Sequence, residues 1–324
     1  MPQAFITGGS GFLGRNMITF LVNRGWKVNA LVRSKQAATT VEKLGATPIT
    51  GDLKDIKAMQ NGMLNSQAVF HSAAYVGDWG RYEDFYQDNV IGTENVLTAA
   101  SNSKVPKFVH VGTEAVLVGG DPIINVDETR PKPSKPLGVY PITKGIAEDR
   151  VIAANSSQLT TSVVRPRFIW GKGDTTILPR LVESVNKGQF GWINGGRYLT
   201  STCHVTNVCE GMFLAAENSK GGEIYFLTDG KPIEVREFFT ALLKTQGLEP
   251  GNRNLPKPLA KIFATLAETA WQILKLKGDP PITKTALKLM GEEVTVNDAK
   301  ARKELGYKSL VTIEQGLKDM EISK

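Results

Sequence analysis

Over the first two thirds of the chain, short apolar runs alternate with segments in which apolar residues recur every three or four positions. The runs are typical of buried strands, and the recurring spacing is typical of helices with one apolar face. Their alternation predicts an α/β fold, a doubly wound parallel sheet with helices on both faces. The predicted strands are residues 4–7, 28–32, 49–52, 68–73, 107–111 and 162–165, and the predicted helices are residues 12–22 and, approximately, 82–100.

The pattern changes after Gly171, where loops, helices and short strands follow one another without regular alternation. A strand is predicted at 223–227, and helices are predicted at 235–245 and 257–277. We therefore expect a first domain at 1–170, to which part of residues 200–230 also belongs. A smaller α+β region for substrate binding should make up most of 171–324.

Composition narrows the class of protein. The chain of 324 residues is 41% hydrophobic and 22% charged, which is ordinary for a globular protein. A net charge of +7 suits an anionic partner, but the basic residues are spread out and no nucleic-acid motif occurs, so no nucleic-acid binding is predicted. Cys203 and Cys209 match no metal or disulfide spacing. With no presequence pattern and no apolar run long enough for a bilayer, a cytoplasmic location is expected.

Glycines at positions 8, 11 and 14 follow the first predicted strand and open the first predicted helix, in the sequence TGGSGFLG. In this context the first glycine allows a sharp turn, the second lets a pyrophosphate approach the backbone, and the third lets the helix pack closely on the sheet. The phosphates then lie at the positive end of the helix. This predicts a Rossmann-type dinucleotide site formed by Thr7, Gly8, Gly11, Phe12, Leu13 and Gly14.

The end of the second strand indicates which dinucleotide binds. NAD sites usually carry an acidic residue there, but Val32 occupies that position and Arg33 follows it. A guanidinium suits a 2′-phosphate, so NADP(H) is favoured; if Arg33 is an ordinary surface charge, NAD(H) remains the alternative. Asp52 is placed to accept a hydrogen bond from the adenine. Leu53 and two small residues after the fourth strand, Ala73 and Ala74, are predicted to contact the cofactor as well.

Tyr140 and Lys144 are four residues apart on a predicted helix after the fifth strand, and therefore share one face. A phenol has an ordinary pKa of about 10, which a nearby ammonium lowers. We therefore predict that Lys144 tunes Tyr140 as a general acid or base.

Two further polar residues are candidates for the same centre. Thr113 follows the fifth strand, where its hydroxyl could hold a substrate carbonyl; the alternative is a threonine that caps a turn. Asn89 lies on the long helix, where it could order a water molecule that relays protons to Lys144.

Taken together, TGGSGFLG, DNVIGTENV, the threonine after the fifth strand and YPITK resemble the extended short-chain dehydrogenases/reductases, in family order and over roughly the whole chain. Within that family the chain is most similar to the branch of 3β-hydroxysteroid dehydrogenases, sterol 4α-carboxylate 3-dehydrogenases and 2-alkyl-3-oxoalkanoate reductases. The resemblance implies hydride transfer between a nicotinamide and a ketone or secondary alcohol, and a tetrad of Asn89, Thr113, Tyr140 and Lys144. It also implies that Lys144 binds the nicotinamide ribose and that Pro166 lies against the nicotinamide ring.

Several aromatic residues fall in segments that this fold sends over its pocket, which favours an apolar substrate over a sugar nucleotide. Together with the resemblance, this implies a bulky apolar 3-oxo or 3-hydroxy substrate such as a β-keto acid or steroid. Arg167 could hold a substrate carboxylate, or form a structural ion pair. The predicted pocket residues are Trp79, Tyr82, Arg167, Phe168 and Trp170, with Phe190 and Trp192 as further aromatic candidates.

Residues 257–277 carry an apolar stripe at helical spacing, flanked by lysines. Three interpretations are open: a lid over the substrate, a helix on a membrane surface, or a helix packed on the core. The resemblance also implies a homodimer. Two alternative functions are a nucleotide-sugar epimerase or dehydratase with bound NAD, and a non-catalytic NADP(H) sensor.

Overall fold

The computed structural model of the chain describes residues 1–321, so residues 322–324 of the predicted C-terminal region lie outside the described part. Its strands, in chain order, are β1 (Gln3–Thr7), β2 (Lys27–Val32), β3 (Thr47–Thr50), β4 (Ala68–His71), β5 (Lys107–Val111), β6 (Ile123–Val126), β7 (Thr160–Pro166), β8 (Ile169–Trp170), β9 (Trp192–Ile193), β10 (Leu199–Thr200), β11 (Cys203–His204), β12 (Glu223–Leu227), β13 (Ile233–Glu234), β14 (Asn254–Leu255) and β15 (Val294–Val296).

Its α-helices are α1 (Phe12–Val22), α2 (Lys35–Glu42), α3 (Ile56–Met63), α4 (Tyr82–Tyr86), α5 (Gly92–Asn102), α6 (Val139–Ala153), α7 (Leu178–Asn186), α8 (Val205–Asn218), α9 (Val235–Lys244), α10 (Lys257–Leu274), α11 (Lys284–Met290) and α12 (Ile313–Met320). A π-helical turn, Gln87–Ile91, joins α4 to α5. The predicted long helix is therefore continuous over 82–102 and contains one widened turn.

Seven parallel strands form the main sheet, in the order β12-β7-β5-β4-β1-β2-β3. Apolar side chains from α1, α2 and α8 cover one face, and those from α3, α5 and α6 cover the other. The predicted doubly wound sheet is confirmed. The chain order reverses between β1 and β4, and this switch point is where such sheets bind their ligands, at the carboxyl ends of the strands.

The C-terminal region is built from short strands and helices. A small sheet has the order β13-β10-β15-β6, and its member β6 comes from residues 123–126, early in the chain. A separate apolar cluster gathers side chains of α7, α9 and α12. Conversely, β12 and Tyr307 return to the core of the main sheet. Chain segments from both halves therefore meet at the carboxyl edge of the main sheet.

Candidate active site

The glycine turn lies at the switch point, between β1 and α1. Gly8 has φ of +72°, and a side chain there would meet the backbone nitrogen of Ala73 at 2.8 Å. A side chain on Gly14 would lie 2.1 Å from the Gly8 carbonyl oxygen. Gly11 begins α1 without a side-chain cap, so the first helical N–H groups remain available for a ligand. The turn Gly8–Gly14 therefore forms a cradle that fits a pyrophosphate, and a Cβ at Gly8 or Gly14 would clash with the backbone that shapes it.

The side chain of Thr7 shapes this cradle from inside the protein. It is fully buried, and its hydroxyl bonds His71 Nδ1 at 2.6 Å and accepts from the Ala73 backbone at 3.2 Å. The Ser72 hydroxyl donates to the Thr7 carbonyl at 2.8 Å. These bonds tie the ends of β1 and β4 together and fix the path of the small residues 73–74.

The next part of the predicted cofactor site lies at the carboxyl ends of β2 and β3, the strands that follow β1 in the sheet. Val32 is the last residue of β2, and Arg33 is exposed directly after it, with no hydrogen bond or ion pair from its side chain within residues 1–321. Asp52 is exposed just past β3, and its Oδ1 accepts from the backbone of Lys54 at 2.7 Å. Leu53 is half-buried against the core. Arg33 therefore stands at the edge of the cradle with its guanidinium unpartnered in the described chain.

Tyr140 and Lys144 occupy the first two turns of α6. The helix begins after Gly138, which has φ of +93°, and a side chain there would clash with Thr285 of α11 at 2.3 Å. Pro166 ends β7 and is buried at the same edge of the sheet. The parallel strands thus bring Tyr140, Lys144, Pro166 and the glycine turn to one side of the molecule.

The phenol of Tyr140 faces Thr113. Burial raises its pKa, the carboxylates of Glu114 and Asp78 raise it further, and the Thr113 hydroxyl lowers it in part. We expected the Lys144 ammonium to lower this pKa, but in the structure that pKa is raised. The physical reason is that desolvation of the phenolate outweighs the favourable contacts, so Tyr140 holds its proton firmly at neutral pH.

Lys144 is almost fully buried behind the tyrosine. Its Nζ donates to the Val111 carbonyl at 2.7 Å and lies 2.9 Å from His110 Nε2. Burial lowers the pKa of Lys144 to about 7, and the Glu148 carboxylate opposes that shift. The ammonium is therefore directed at β5, and it loses its proton far more readily than a lysine in water.

Two buried histidines that we did not predict lie beside this lysine: His110 contacts it directly, and His71 bonds Thr7 and Thr93. His71 and His110 are opposite one another on β4 and β5, with ring centres 5.1 Å apart. Burial lowers the pKa of His71 to about 3 and that of His110 well below its ordinary value, so both rings are neutral. A neutral His110 can accept from Lys144 through Nε2. The sequence did contain a signal for these buried histidines, because each follows apolar residues within a predicted strand.

Thr113 is joined to a buried ion pair. Its hydroxyl donates to Glu114 Oε2 at 3.0 Å and accepts from the Ala115 backbone at 3.1 Å, which caps the short helix 114–117. Glu114 Oε1 in turn accepts from Arg167 Nη1 at 2.7 Å, and both side chains are about 95% buried. Arg167 also donates to the Leu289 carbonyl at 2.6 Å. Thr113 therefore caps a turn and Arg167 forms a structural ion pair, which were the alternative interpretations of these two residues.

This network bears on the two predicted substrate contacts. The Thr113 hydroxyl donates to Glu114 in this structure, and its contact with a substrate carbonyl stays a prediction. Arg167 forms the structural ion pair with the same carboxylate, while its Nε has no hydrogen-bond partner within residues 1–321. Sequence reasoning missed Glu114; the available signal was a lone carboxylate directly before the apolar run AVLV.

Asn89 lies in the π-helical turn, a widened geometry that frequently occurs at functional sites. Its amide accepts from the Tyr75 backbone at 2.7 Å, donates back to the Tyr75 carbonyl at 3.1 Å, and donates to the Thr143 hydroxyl at 3.1 Å. Asn89 therefore couples the loop after β4 to α6, one residue before Lys144. A water relay from Asn89 to Lys144 stays a prediction.

The predicted pocket aromatics divide into two groups. Phe168 and Trp170 are buried in the cluster around Phe238, and Trp170 Nε1 donates to Asp229 at 2.7 Å. Both side chains therefore belong to the hydrophobic core and not, as predicted, to an exposed pocket lining. Of the further aromatic candidates, Trp192 is likewise buried, while Phe190 is half-buried against it.

Trp79 and Tyr82 form the second group, in the loop and helix start that follow β4. Trp79 is half-buried, and Tyr82 is exposed and stacks on Tyr86 at 5.6 Å between ring centres. Tyr75 and Val76 in the same segment are exposed as well. Because Asn89 holds this segment against α6, its apolar surface lies close to the catalytic helix and is available for contact with a ligand.

Comparison with known proteins identifies the family. A model of the 3-beta hydroxysteroid dehydrogenase/isomerase family matches residues 5–257. The chain belongs to that family. The predicted resemblance to this branch of the extended short-chain dehydrogenases/reductases is thereby confirmed, and the chain is a nicotinamide-dependent oxidoreductase that acts between C=O and CH–OH groups.

Individual relatives agree with this assignment. The chain is 50% identical to a 4-hydroxy-2-methyl-3-oxo-4-farnesyl-3,4-dihydroquinoline-1-oxide ketoreductase of Stigmatella aurantiaca, over 97% of this chain and 94% of the relative. It is 35% identical to a decarboxylating sterol-4-alpha-carboxylate 3-dehydrogenase of Dictyostelium discoideum, over 99% and 100% of the two chains. It is 34% identical to a 2-alkyl-3-oxoalkanoate reductase of Stenotrophomonas maltophilia, over 99% of both chains.

Solved structures share the fold. The crystal structure of gox2253 superposes with a TM-score of 0.78 at 25% identity, over 98% of both chains. MoeE5 in complex with UDP-glucose and NAD superposes with a TM-score of 0.73 at 21% identity, over 98% of this chain and 97% of that one. At that identity the second likeness shows the fold alone, and it does not extend sugar-nucleotide chemistry to this chain.

Proposed function

We propose that this enzyme reduces a bulky apolar 3-oxo compound to the 3-hydroxy compound and uses NADPH. The observation that carries the proposal is the placement of Tyr140 and Lys144 on the first two turns of α6, at the same edge of the sheet as Thr113 and the glycine cradle. The glycine cradle would hold the cofactor by its pyrophosphate, and the nicotinamide of the bound cofactor would supply the hydride. Tyr140 carries its proton, and a developing alkoxide is more basic than a phenolate, so the phenol can give its proton to the substrate oxygen, which is the role needed for reduction.

The exposed apolar segment after β4 and the relatives support the substrate class. Tyr75, Val76 and Tyr82 offer apolar surface next to α6, and the charges of Glu114 and Arg167 near Tyr140 are paired with each other. The ketoreductase that is 50% identical acts, by its name, on a farnesylated 3-oxo ring compound. We infer an apolar ketone of similar bulk here.

Catalysis is tested with a panel of candidate ketones: a 2-alkyl-3-oxo acid, a 3-oxosteroid and a prenylated quinoline ketone, each followed by NADPH consumption. Replacing Tyr140 by Phe is expected to lower kcat by about 10²–10⁴-fold, the usual contribution of a general acid, with unchanged NADPH affinity. Tyr225→Phe, which removes a phenol hydroxyl bonded to Ser219 and Glu304 on the edge strand β12, is the matched control and should keep full activity. Full activity in Tyr140→Phe would refute the assignment, and tightly retained NAD with no ketone turnover would favour the epimerase interpretation.

The preference for NADPH rests on Arg33, which is exposed and unpartnered at the edge of the cradle in the described chain. A charge-assisted bond to a 2′-phosphate contributes about 1.5–3 kcal/mol, or roughly 10–150-fold in affinity. Fluorescence titration of Arg33→Ala should therefore show that much weaker NADPH binding and unchanged NADH binding. Arg197→Ala, in the C-terminal region, is the control. Tighter binding of NADH than NADPH by the unmodified protein would overturn this preference.

We also infer a cytoplasmic location. Cys203 and Cys209 are both buried as free thiols, and burial raises the pKa of each above its ordinary value. Cysteines that are not paired in a disulfide are usual in a reducing compartment, where disulfides rarely persist. Cell fractionation that placed the protein outside the cytoplasm would contradict the inference.

A further inference from the structure

Helix α10 presents its apolar stripe to solvent. It packs on the protein through a face of small residues, on which Ala260 and Ala264 are fully buried. The large side chains lie on the outer face at spacings of three and four residues, which places them in one line along the helix. They are 47–73% exposed, and they are Leu259, Ile262, Phe263, Leu266, Ile273 and Leu274.

This arrangement excludes the interpretation that the stripe packs on the core. Isolated exposed leucines are normal on a protein surface, but a continuous row of large apolar groups marks a contact site. Leu276, just beyond the helix, extends the row and is 43% exposed. Among residues 1–321 no helix has both the length and the apolar character needed to cross a bilayer. The stripe is therefore suited to lie along a surface rather than to span it.

The charges beside the stripe indicate what the surface is. Lys261, Lys275 and Lys277 are exposed, and none of them forms an ion pair within residues 1–321. The one carboxylate of residues 257–277, that of Glu268, is paired with Lys284. An apolar row bordered by free ammonium groups matches anionic lipid headgroups above acyl chains. A second copy of the chain would instead bring the same lysines towards one another.

The stripe lies one helix away from the catalytic centre. α10 rests on α11 through the Glu268–Lys284 pair. The Thr285 side chain of α11 donates to the Leu137 carbonyl, immediately before α6 begins, and Leu289 accepts from Arg167. A surface that holds α10 therefore also lies close to the helix that carries Tyr140.

We propose that α10 seats the enzyme on an anionic lipid bilayer, with the stripe at the level of the headgroups and upper acyl chains and the three lysines against the phosphates. This goes beyond the proposed reaction and does not depend on it. It places the active site beside the phase in which a bulky apolar compound is dissolved.

The test is sedimentation of the full chain with vesicles of phosphatidylcholine, with and without phosphatidylglycerol, with no substrate present. The unmodified protein should bind the anionic vesicles. Ile262→Glu together with Leu266→Glu should weaken binding by at least about tenfold, because two carboxylates then replace the apolar contact. Leu64→Glu, which changes an exposed leucine after α3, is the matched control and should bind like the unmodified protein.

A triple change of Lys261, Lys275 and Lys277 to Gln should remove the preference for anionic vesicles. Far-UV circular dichroism and NADPH titration confirm that each variant is folded. No binding of the unmodified protein, or equal binding by the Ile262→Glu/Leu266→Glu variant, would overturn the proposal. It would also be overturned by a dimer in size-exclusion chromatography that this variant converts to monomer, because the stripe would then be an interface between copies.

Discussion

The buried pair of Glu114 and Arg167 provides a test of how this site is stabilised. Each side chain is about 95% buried, and their nitrogen and oxygen atoms are 2.7 Å apart. Replacing Glu114 by Leu leaves the guanidinium charged in the interior and removes the acceptor of the Thr113 hydroxyl. Breaking a buried ion pair by removing one partner costs about 3–5 kcal/mol. Arg167→Met should cost a similar amount, because it leaves the Glu114 carboxylate unpaired.

The double variant, Glu114→Leu with Arg167→Met, removes both charges and should recover most of that loss, because apolar replacements of buried ion pairs are often nearly neutral. The free energy of unfolding is measured by urea titration of all three variants. A matched cycle on the exposed pair of Glu183 and Lys187, whose side chains are 62% and 57% exposed, should give a far smaller loss for each change, because water screens the pair.

Two results would refute this reasoning. If Glu114→Leu is no more destabilising than Glu183→Leu, the interior around Arg167 is not a low-dielectric environment. If the losses of the two single variants simply add in the double variant, Glu114 and Arg167 do not stabilise each other, and their energetic coupling is absent.

Three further predictions follow from the geometry of the site. Gly14→Ala should abolish NADPH binding in a fluorescence titration, because its Cβ would lie 2.1 Å from a backbone carbonyl of the turn, whereas Gly251→Ala, with no neighbour within 4 Å, should bind normally. Asn89→Ala removes three hydrogen bonds of a buried side chain and should lower the free energy of unfolding by about 2–4 kcal/mol in urea. Lys144→Met should change how stability depends on pH. The pKa of Lys144 is about 7 in the folded chain and near 10.5 when unfolded, so the unfolded state binds more protons in between and stability of the unmodified protein rises with pH. Urea titrations at pH 7 and pH 9 should show that rise, and it should be absent in the variant.

Each of these predictions has an outcome that contradicts it. NADPH binding retained by Gly14→Ala would mean that the turn opens without cost. A loss in Asn89→Ala no larger than that of an exposed asparagine would mean that the π-helical turn does not depend on this amide. A stability that rises equally with pH in both proteins would show that another group, not Lys144, is responsible.

Local signals in the sequence were sufficient for the frame of the site. Strand length, helical spacing and the glycines at 8, 11 and 14 depend on backbone geometry within a few residues, and they predicted the doubly wound sheet and its cofactor turn. The spacing of Tyr140 and Lys144 placed both on the start of one helix for the same reason. Arg33 was placed at the end of β2 because strand bounds follow from the apolar run.

What the sequence alone could not decide was the partner of each buried polar group. Arg167 read equally well as a substrate contact or an ion pair, and only the packing of Glu114 against it settles the choice. The raised pKa of Tyr140 and the lowered pKa of Lys144 both result from desolvation by residues distant in sequence. The same holds for the stripe on α10: periodicity shows which residues share a face, but whether protein or solvent covers that face depends on the tertiary structure.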